Sequence, residues 1–257
     1  MPQTLTQRPT TQVAPSHTQD WRPLADGEAL AGTLRRTRHA VRGFELAPLV
    51  WIDAAIILTL GALGALEFFT TAHLGLFNLD AEGSLPAAFS GTLLLCAALV
   101  SLTIYYEAQW SRRDRQVLWL IGGFLSFMAM DEMLGIHEHI GAIIGTPWQI
   151  PYLPLAAAGG LVWLAVLRIL LADLTAAALW IAGAAAWVGS QALEAVQTVV
   201  EPQGYDNAHG VITLHGLLTI PEEMGEMIGS TLFLLALIVF LRAGVSRLRS
   251  SAAAQAG

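Results

Sequence analysis

Residues 112–141 read RRDRQVLWLIGGFLSFMAMDEMLGIHEHIG: a basic start, a nearly unbroken apolar middle, and an end rich in carboxylates and histidine. The apolar part is long enough to cross about 30 Å of hydrocarbon as a helix. Arginine stands at one end and acid at the other, so the segment also carries a direction. The rest of the chain repeats this polarity. Six apolar stretches, near 48–70, 86–108, 117–139, 151–172, 175–200 and 221–242, are each long enough to span. The predicted fold is all-α, a polytopic membrane helix bundle of six transmembrane helices.

Charge sets the expected orientation. Lysine is absent, and all 13 basic residues are arginines that fall on one side of the spans. They are Arg8, Arg22, Arg35, Arg36, Arg38 and Arg42 before the first span, Arg112, Arg113 and Arg115 before the third, Arg168 closing the fourth, and Arg242, Arg247 and Arg249 after the sixth. The positive-inside rule then places both termini in the cytoplasm and the protein in the cell (inner) membrane. Twelve acids fall on the opposite side or in the half-bilayer facing it, with His73, His137, His139, His209 and His215. So many carboxylates with no base beside them must be balanced by protons, bound cations or water.

The composition excludes an ordinary soluble domain: 54 % hydrophobic, 13 % charged, mean hydropathy +0.56. It leaves no room for a second folded domain. The expected organisation is a polar, Arg-rich cytoplasmic tail over 1–46, the bundle over 47–243, and an Ala/Ser-rich disordered tail over 244–257. Leu30, Leu34 and Val41 have the spacing of a short helix lying on the inner leaflet. Cys96, inside the second span, has no partner and reads as a small core or lipid-facing residue. No nucleotide motif and no nucleic-acid-binding pattern is present. The connections at 109–116 and 172–175 are short, which predicts antiparallel neighbours. Spans one, two and four carry few polar residues and read as lipid-facing or packing elements; the polar residues gather in spans three, five and six.

On a regular helix of about 100° per residue, Asp131, Glu132, Glu138 and His139 of span three share an arc of about 120°. His137 falls outside it, and a bulge near Gly135 would bring it beside Glu132. Periodicity leaves open which histidine faces the bundle. Span five confines Ser190, Gln191, Glu194, Gln197 and Glu201 to one stripe, which must face protein or water because lipid offers no hydrogen-bond partner. Span six opens with Thr219, Pro221, Glu222 and Glu223, the pattern of a capping box with proline in the first turn. Glu226, one turn deeper on the face of Glu222, is not explained by capping. Gly229 and Ser230 continue that face with small residues suited to close helix approach.

Spans three and five end in their acids and span six begins with its own, so the three stripes meet at one depth. Carboxylates with one or two imidazoles from several helices make the donor set of di-iron and di-manganese sites, whereas zinc favours fewer acids and more histidine. The expected cofactor is therefore a divalent metal, Fe or Mn over Zn. Its candidate ligands are Asp131, Glu132, His137, Glu138, Glu194, Glu222, Glu223 and Glu226. Such a site would act on a lipid or a small apolar substrate. The alternatives are a non-enzymatic binding or assembly role, and a proton- or cation-coupled transporter using the same acids. Asp53 and Glu107 would then mark an inner mouth.

The run Met130-Asp131-Glu132 with His137-Glu138, and the later Glu222-Glu223 with Glu226 and Gly229, resembles a pattern in uncharacterised bacterial six-span membrane proteins. The resemblance rests on two short segments and implies a shared helical core but no activity.

Overall fold

The computed structural model describes residues 45–70, 75–79, 81, 83–106, 110–200 and 214–256. Seven α-helices are formed among them: α1 (Leu46–Phe69), α2 (Leu85–Tyr105), α3 (Arg112–Leu134), α4 (Ile136–Ile144), α5 (Gln149–Leu170), α6 (Leu174–Val200) and α7 (Leu214–Ala256). A single 3-10 turn, Gly75–Phe77, follows α1. All but α4 are long and apolar enough to cross a membrane, matching the six spans read from the sequence. Readings made on residues 1–44, on His73, Asp80, Glu82 and Glu107, and on the 201–213 connection with Glu201, Asp206 and His209 lie outside the described residues. So does the side chain of His215.

Local chemistry sets most helix ends. Ser84 caps α2, its hydroxyl accepting from the Ala87 N–H at 3.4 Å, with proline in the first turn. Ser111 caps α3, accepting from the Asp114 N–H at 3.1 Å. Asp173 caps α6 by accepting from the backbone N–H groups of Thr175 and Ala176, each at 3.1 Å.

Three helix ends differ from expectation. The third span is two helices: α3 stops at Gly135, whose φ of 57° and ψ of 40° lie in the left-handed region, and α4 restarts at once. Glycine occupies that conformation without the Cβ clash other residues meet. The capping box at Thr219 does not form, because α7 begins at Leu214 and carries Thr219 and Pro221 in its interior. Apolar residues 214–218 extend the helix backwards, and Thr219 is buried against α6. At the far end α7 continues as helix to Ala256, through the segment expected to be disordered. Its last residues, 252–256, read AAAQA, and alanine is the strongest helix former.

The helices form a ring. α6 and α7 pack most intimately, α2 packs along α3 and also against α7, and α5 closes the circle with sparse contacts to α3 and α6. α3 and α6 stay apart. α1 lies outside the ring on α7, where Ile57, Leu60 and Met227 form a small apolar cluster. α2 is therefore a core element. Its Ala97, Ala98 and Ile104 are almost wholly enclosed with Leu118, Ile121, Trp180 and Leu237. Ser90 of α2, Ser230 of α7 and Trp187 of α6 form a buried polar node. The two hydroxyls lie 3.0 Å apart, and the Trp187 indole donates to Ser230 at 3.3 Å. α5 and α6 share the short turn predicted for antiparallel neighbours, yet above that turn they separate. Trp163 and Trp180 stack near the turn at 6.4 Å between centroids.

At the end of the ring holding that turn, the Arg168 guanidinium of α5 donates to the Asp114 carboxylate of α3. The described arginines at this end, with Asp131 and Glu132 of α3, Glu194 of α6 and the glutamates of α7 at the other, keep the polarity read from the sequence.

Candidate functional site

The ring encloses a cavity of about 1000 Å³. Its polar end is built by the tips of α3, α4, α5, α6 and α7, and its deeper part by apolar side chains. Glu132 of α3 meets Glu223 and Glu226 of α7 there. One carboxylate oxygen from each lies within 4.8 Å of the others, an arrangement able to hold a metal ion. Glu226 is only 9 % exposed. It accepts from the Ser190 hydroxyl at 2.8 Å and from the Gln191 amide at 3.1 Å, both on α6, and is hydrogen-bonded to Glu132. Two carboxylates approach so closely only when a proton or a cation lies between them.

The break at Gly135 decides between the two histidines. By turning the chain after α3 it brings His137 back onto Asp131. The His137 backbone N–H donates to Asp131 Oδ1 at 2.9 Å, and its Nδ1 lies 3.2 Å from Asp131 Oδ2. His137 lines the cavity and interacts electrostatically with Glu226. His139 is exposed, its Nδ1 2.6 Å from the Gly135 carbonyl. The break also separates Glu138 from the arc it would share with Glu132 on a regular helix; Glu138 touches the cavity mouth but is exposed.

The remaining acids of the predicted set line the same cavity with other partners. Asp131 is 8 % exposed and holds His137 and Tyr152, whose hydroxyl donates at 2.9 Å. Glu222 accepts from the Gln197 amide at 2.5 Å, so its partner is a neighbouring helix and not its own N-terminus. Glu194 accepts from the Trp148 indole at 2.6 Å and from the Gln149 amide at 3.1 Å. It interacts electrostatically with Glu226 and His137 without joining the close triad. Glu223 stands in that triad, although its position at a helix start reads as dipole compensation.

Sequence reading missed the contribution of α5. Trp148, Gln149 and Tyr152 supply three donors to the acids and pack on His137, with the Trp148 ring at 4.6 Å and the Tyr152 ring at 6.4 Å. A signal existed: Trp148 and Tyr152 stand one turn apart with Gln149 at the start of an otherwise apolar span. Aromatics at a span end ordinarily mark the membrane interface, which masks such a role. Asp53, read as an inner-mouth candidate, is buried between α1 and α7, where the Thr231 hydroxyl donates to it at 2.5 Å.

Gly135→Ala is expected to destabilise the protein by about 1 kcal/mol, since a Cβ is disfavoured at that φ. Gly135→Asn, which tolerates the left-handed region, should fall between parent and alanine variant. Thermal unfolding in detergent gives the order, and an alanine variant as stable as the parent contradicts it.

Taken together, the ring and the acidic cavity define an all-helical bundle with six helices able to span a membrane and a carboxylate cluster at one end. Over residues 47–241 the chain matches the family described as Domain of unknown function (DUF8692), and it belongs to that family. No curated protein and no solved structure matches it.

Proposed function

We propose that Glu132, Glu223 and Glu226 bind one or two divalent cations, and that the cavity beneath them hosts membrane-embedded chemistry on a lipid or small apolar molecule. One observation carries this reading: three carboxylates from two helices each bring an oxygen within 4.8 Å of the others, with no arginine among the described cavity-lining residues. At an effective dielectric of 20, each pair of ionised groups about 5 Å apart repels by on the order of 3 kcal/mol. A divalent cation turns that repulsion into attraction. Oxygen-rich donors with one nearby imidazole suit Fe or Mn better than Zn. His137, held by Asp131 and Tyr152, and Glu194, held by Trp148 and Gln149, stand close enough to complete the coordination or to orient what binds. The arginine-bearing end is assigned to the cytoplasm of the inner membrane, with both termini there, so the acids open toward the extracytoplasmic side.

Metal analysis of the purified protein, by inductively coupled plasma mass spectrometry, is the test. We expect about one to two equivalents of Fe or Mn in the parent and almost none in Glu132→Ala and Glu226→Ala. A parent without stoichiometric metal removes the reading. The Glu132–Glu226 hydrogen bond favours one alternative, in which a shared proton replaces the cation and the acids serve proton-coupled transport. Proton flux in proteoliposomes that is abolished by Glu194→Gln would establish that alternative instead.

A further inference from the structure

The cavity is far larger than its acids require. About 1000 Å³ sits at the top of the range for small-molecule pockets and exceeds the roughly 30 Å³ share of each water many times over. Below the carboxylates its walls are apolar. Phe124, Met128 and Leu155 line it and are partly exposed. Ion binding alone has no use for this depth.

The cavity also has a side opening. Ala156 and Gly160 of α5, and Ile181, Ala185 and Val188 of α6, line the cavity and are exposed at the bundle surface. Ile181 is 48 % and Val188 69 % exposed. The gap is framed at both ends. Toward the α5–α6 turn the helices are joined by the Trp163–Trp180 stack, and at the acidic end by the bonds of Trp148 and Gln149 to Glu194. The frame spans 14 to 15 residues of each helix, about 21 Å at 1.5 Å per residue, which is most of the hydrocarbon thickness. Small residues on the α5 edge keep it from being filled: a Cβ on Gly160 would meet nothing within 4 Å.

We infer that the α5–α6 gap is a lateral portal through which a single-chain lipid with an uncharged polar head leaves the bilayer and enters the cavity. The head lies at the carboxylates and the tail along Phe124, Met128 and Leu155. The apolar rim admits hydrocarbon directly from the membrane, so the tail need not cross water. The head carries no negative charge because the described lining residues include carboxylates and no arginine, which repels phosphate and carboxylate heads. The carboxylates at the polar end are acceptors and suit a head-group hydroxyl that donates to them. The inference rests on the membrane-embedded reading of the cavity given above.

The probe is a long-chain alcohol bearing a diazirine at mid-chain, photolysed in lipid vesicles containing the full chain, with adducts mapped by mass spectrometry. Parent protein should carry adducts on outward residues and also on the cavity-lining Phe124, Met128 and Leu155. Gly160→Trp and Ala185→Phe, which narrow the gap from opposite helices, should lower these adducts severalfold. Outward residues such as Leu153, Leu161 and Val199 should stay labelled. The phosphate ester of the same alcohol should label the interior severalfold less. Adducts confined to outward residues in the parent, or interior adducts undiminished in both variants, overturn the portal; equal labelling by the phosphate ester overturns the head-group assignment. Metal content measured on the same samples separates the two readings. Portal-dependent labelling of a metal-free parent would leave the portal standing and remove the metal. Stoichiometric metal without interior labelling would do the reverse.

Discussion

Glu226→Gln is expected to abolish metal binding while leaving the metal-free protein at least as stable as the parent. The two effects separate because glutamine matches glutamate in shape and not in charge. Its amide oxygen can still accept from Ser190 and Gln191, and its nitrogen can donate to Glu132. No buried donor is stranded, so the usual loss of about 1–3 kcal/mol for an unsatisfied buried group does not arise. The substitution removes one of three clustered charges, which relieves repulsion whenever no cation is bound. It also removes a ligand oxygen and the charge that holds the cation. Parent protein with metal at 100 times its dissociation constant should gain about 2.7 kcal/mol against unfolding, and the variant nothing. Thermal unfolding in detergent with Mn or Fe added, and with chelator, measures both. A variant that still gains from metal, or a parent that never does, contradicts the expectation.

Gly229→Leu should cost more stability than any other single change considered. A Cβ at 229 would lie 2.3 Å from Trp187 Cδ1 and 3.0 Å from the Gly183 carbonyl oxygen, so even alanine does not fit without movement. Overpacking of this kind typically costs about 1–3 kcal/mol, and leucine adds three more carbons at the most extensive helix contact in the bundle. Trp187 must swing away, breaking its bond to Ser230 and with it the node that ties α6 and α7 to Ser90 of α2. Glu226 lies less than a turn above, so the carboxylate cluster should open as well. Gly189→Ala on α6 is the control: nothing lies within 4 Å of its Cβ, and helix propensity favours alanine by up to about 1 kcal/mol. Yield and unfolding temperature should fall sharply for Gly229→Leu and hold or rise for Gly189→Ala. Equal behaviour of the two would mean that α6 and α7 are not in contact there.

The span pattern was legible because hydrocarbon thickness imposes a length that any apolar run displays in one dimension. The stripe of Ser190, Gln191, Glu194 and Gln197 was legible for a related reason: periodicity places polar groups on one face, and lipid forbids that face from pointing outward. Of the three helix ends that differ from expectation, two border the site. The Thr219 pattern suits a cap, but the apolar residues before it cost nothing to keep helical, and propagation continued to Leu214. Gly135 signalled a disruption without saying whether a bulge or a full break would follow.

Charge polarity, the number of spanning helices and the placing of Glu132, Glu194 and Glu226 at one end were thus determined by the sequence alone, since each follows from length, direction and the cost of exposing charge to lipid. The tertiary structure alone decided that His137 and not His139 turns inward, that Glu223 and not Glu194 completes the triad with Glu132 and Glu226, and that α5 supplies Trp148, Gln149 and Tyr152. Those outcomes depend on a left-handed glycine and on how far α5 leans away from α6. They are properties of packing between segments distant in the chain, and no periodicity within one segment encodes them.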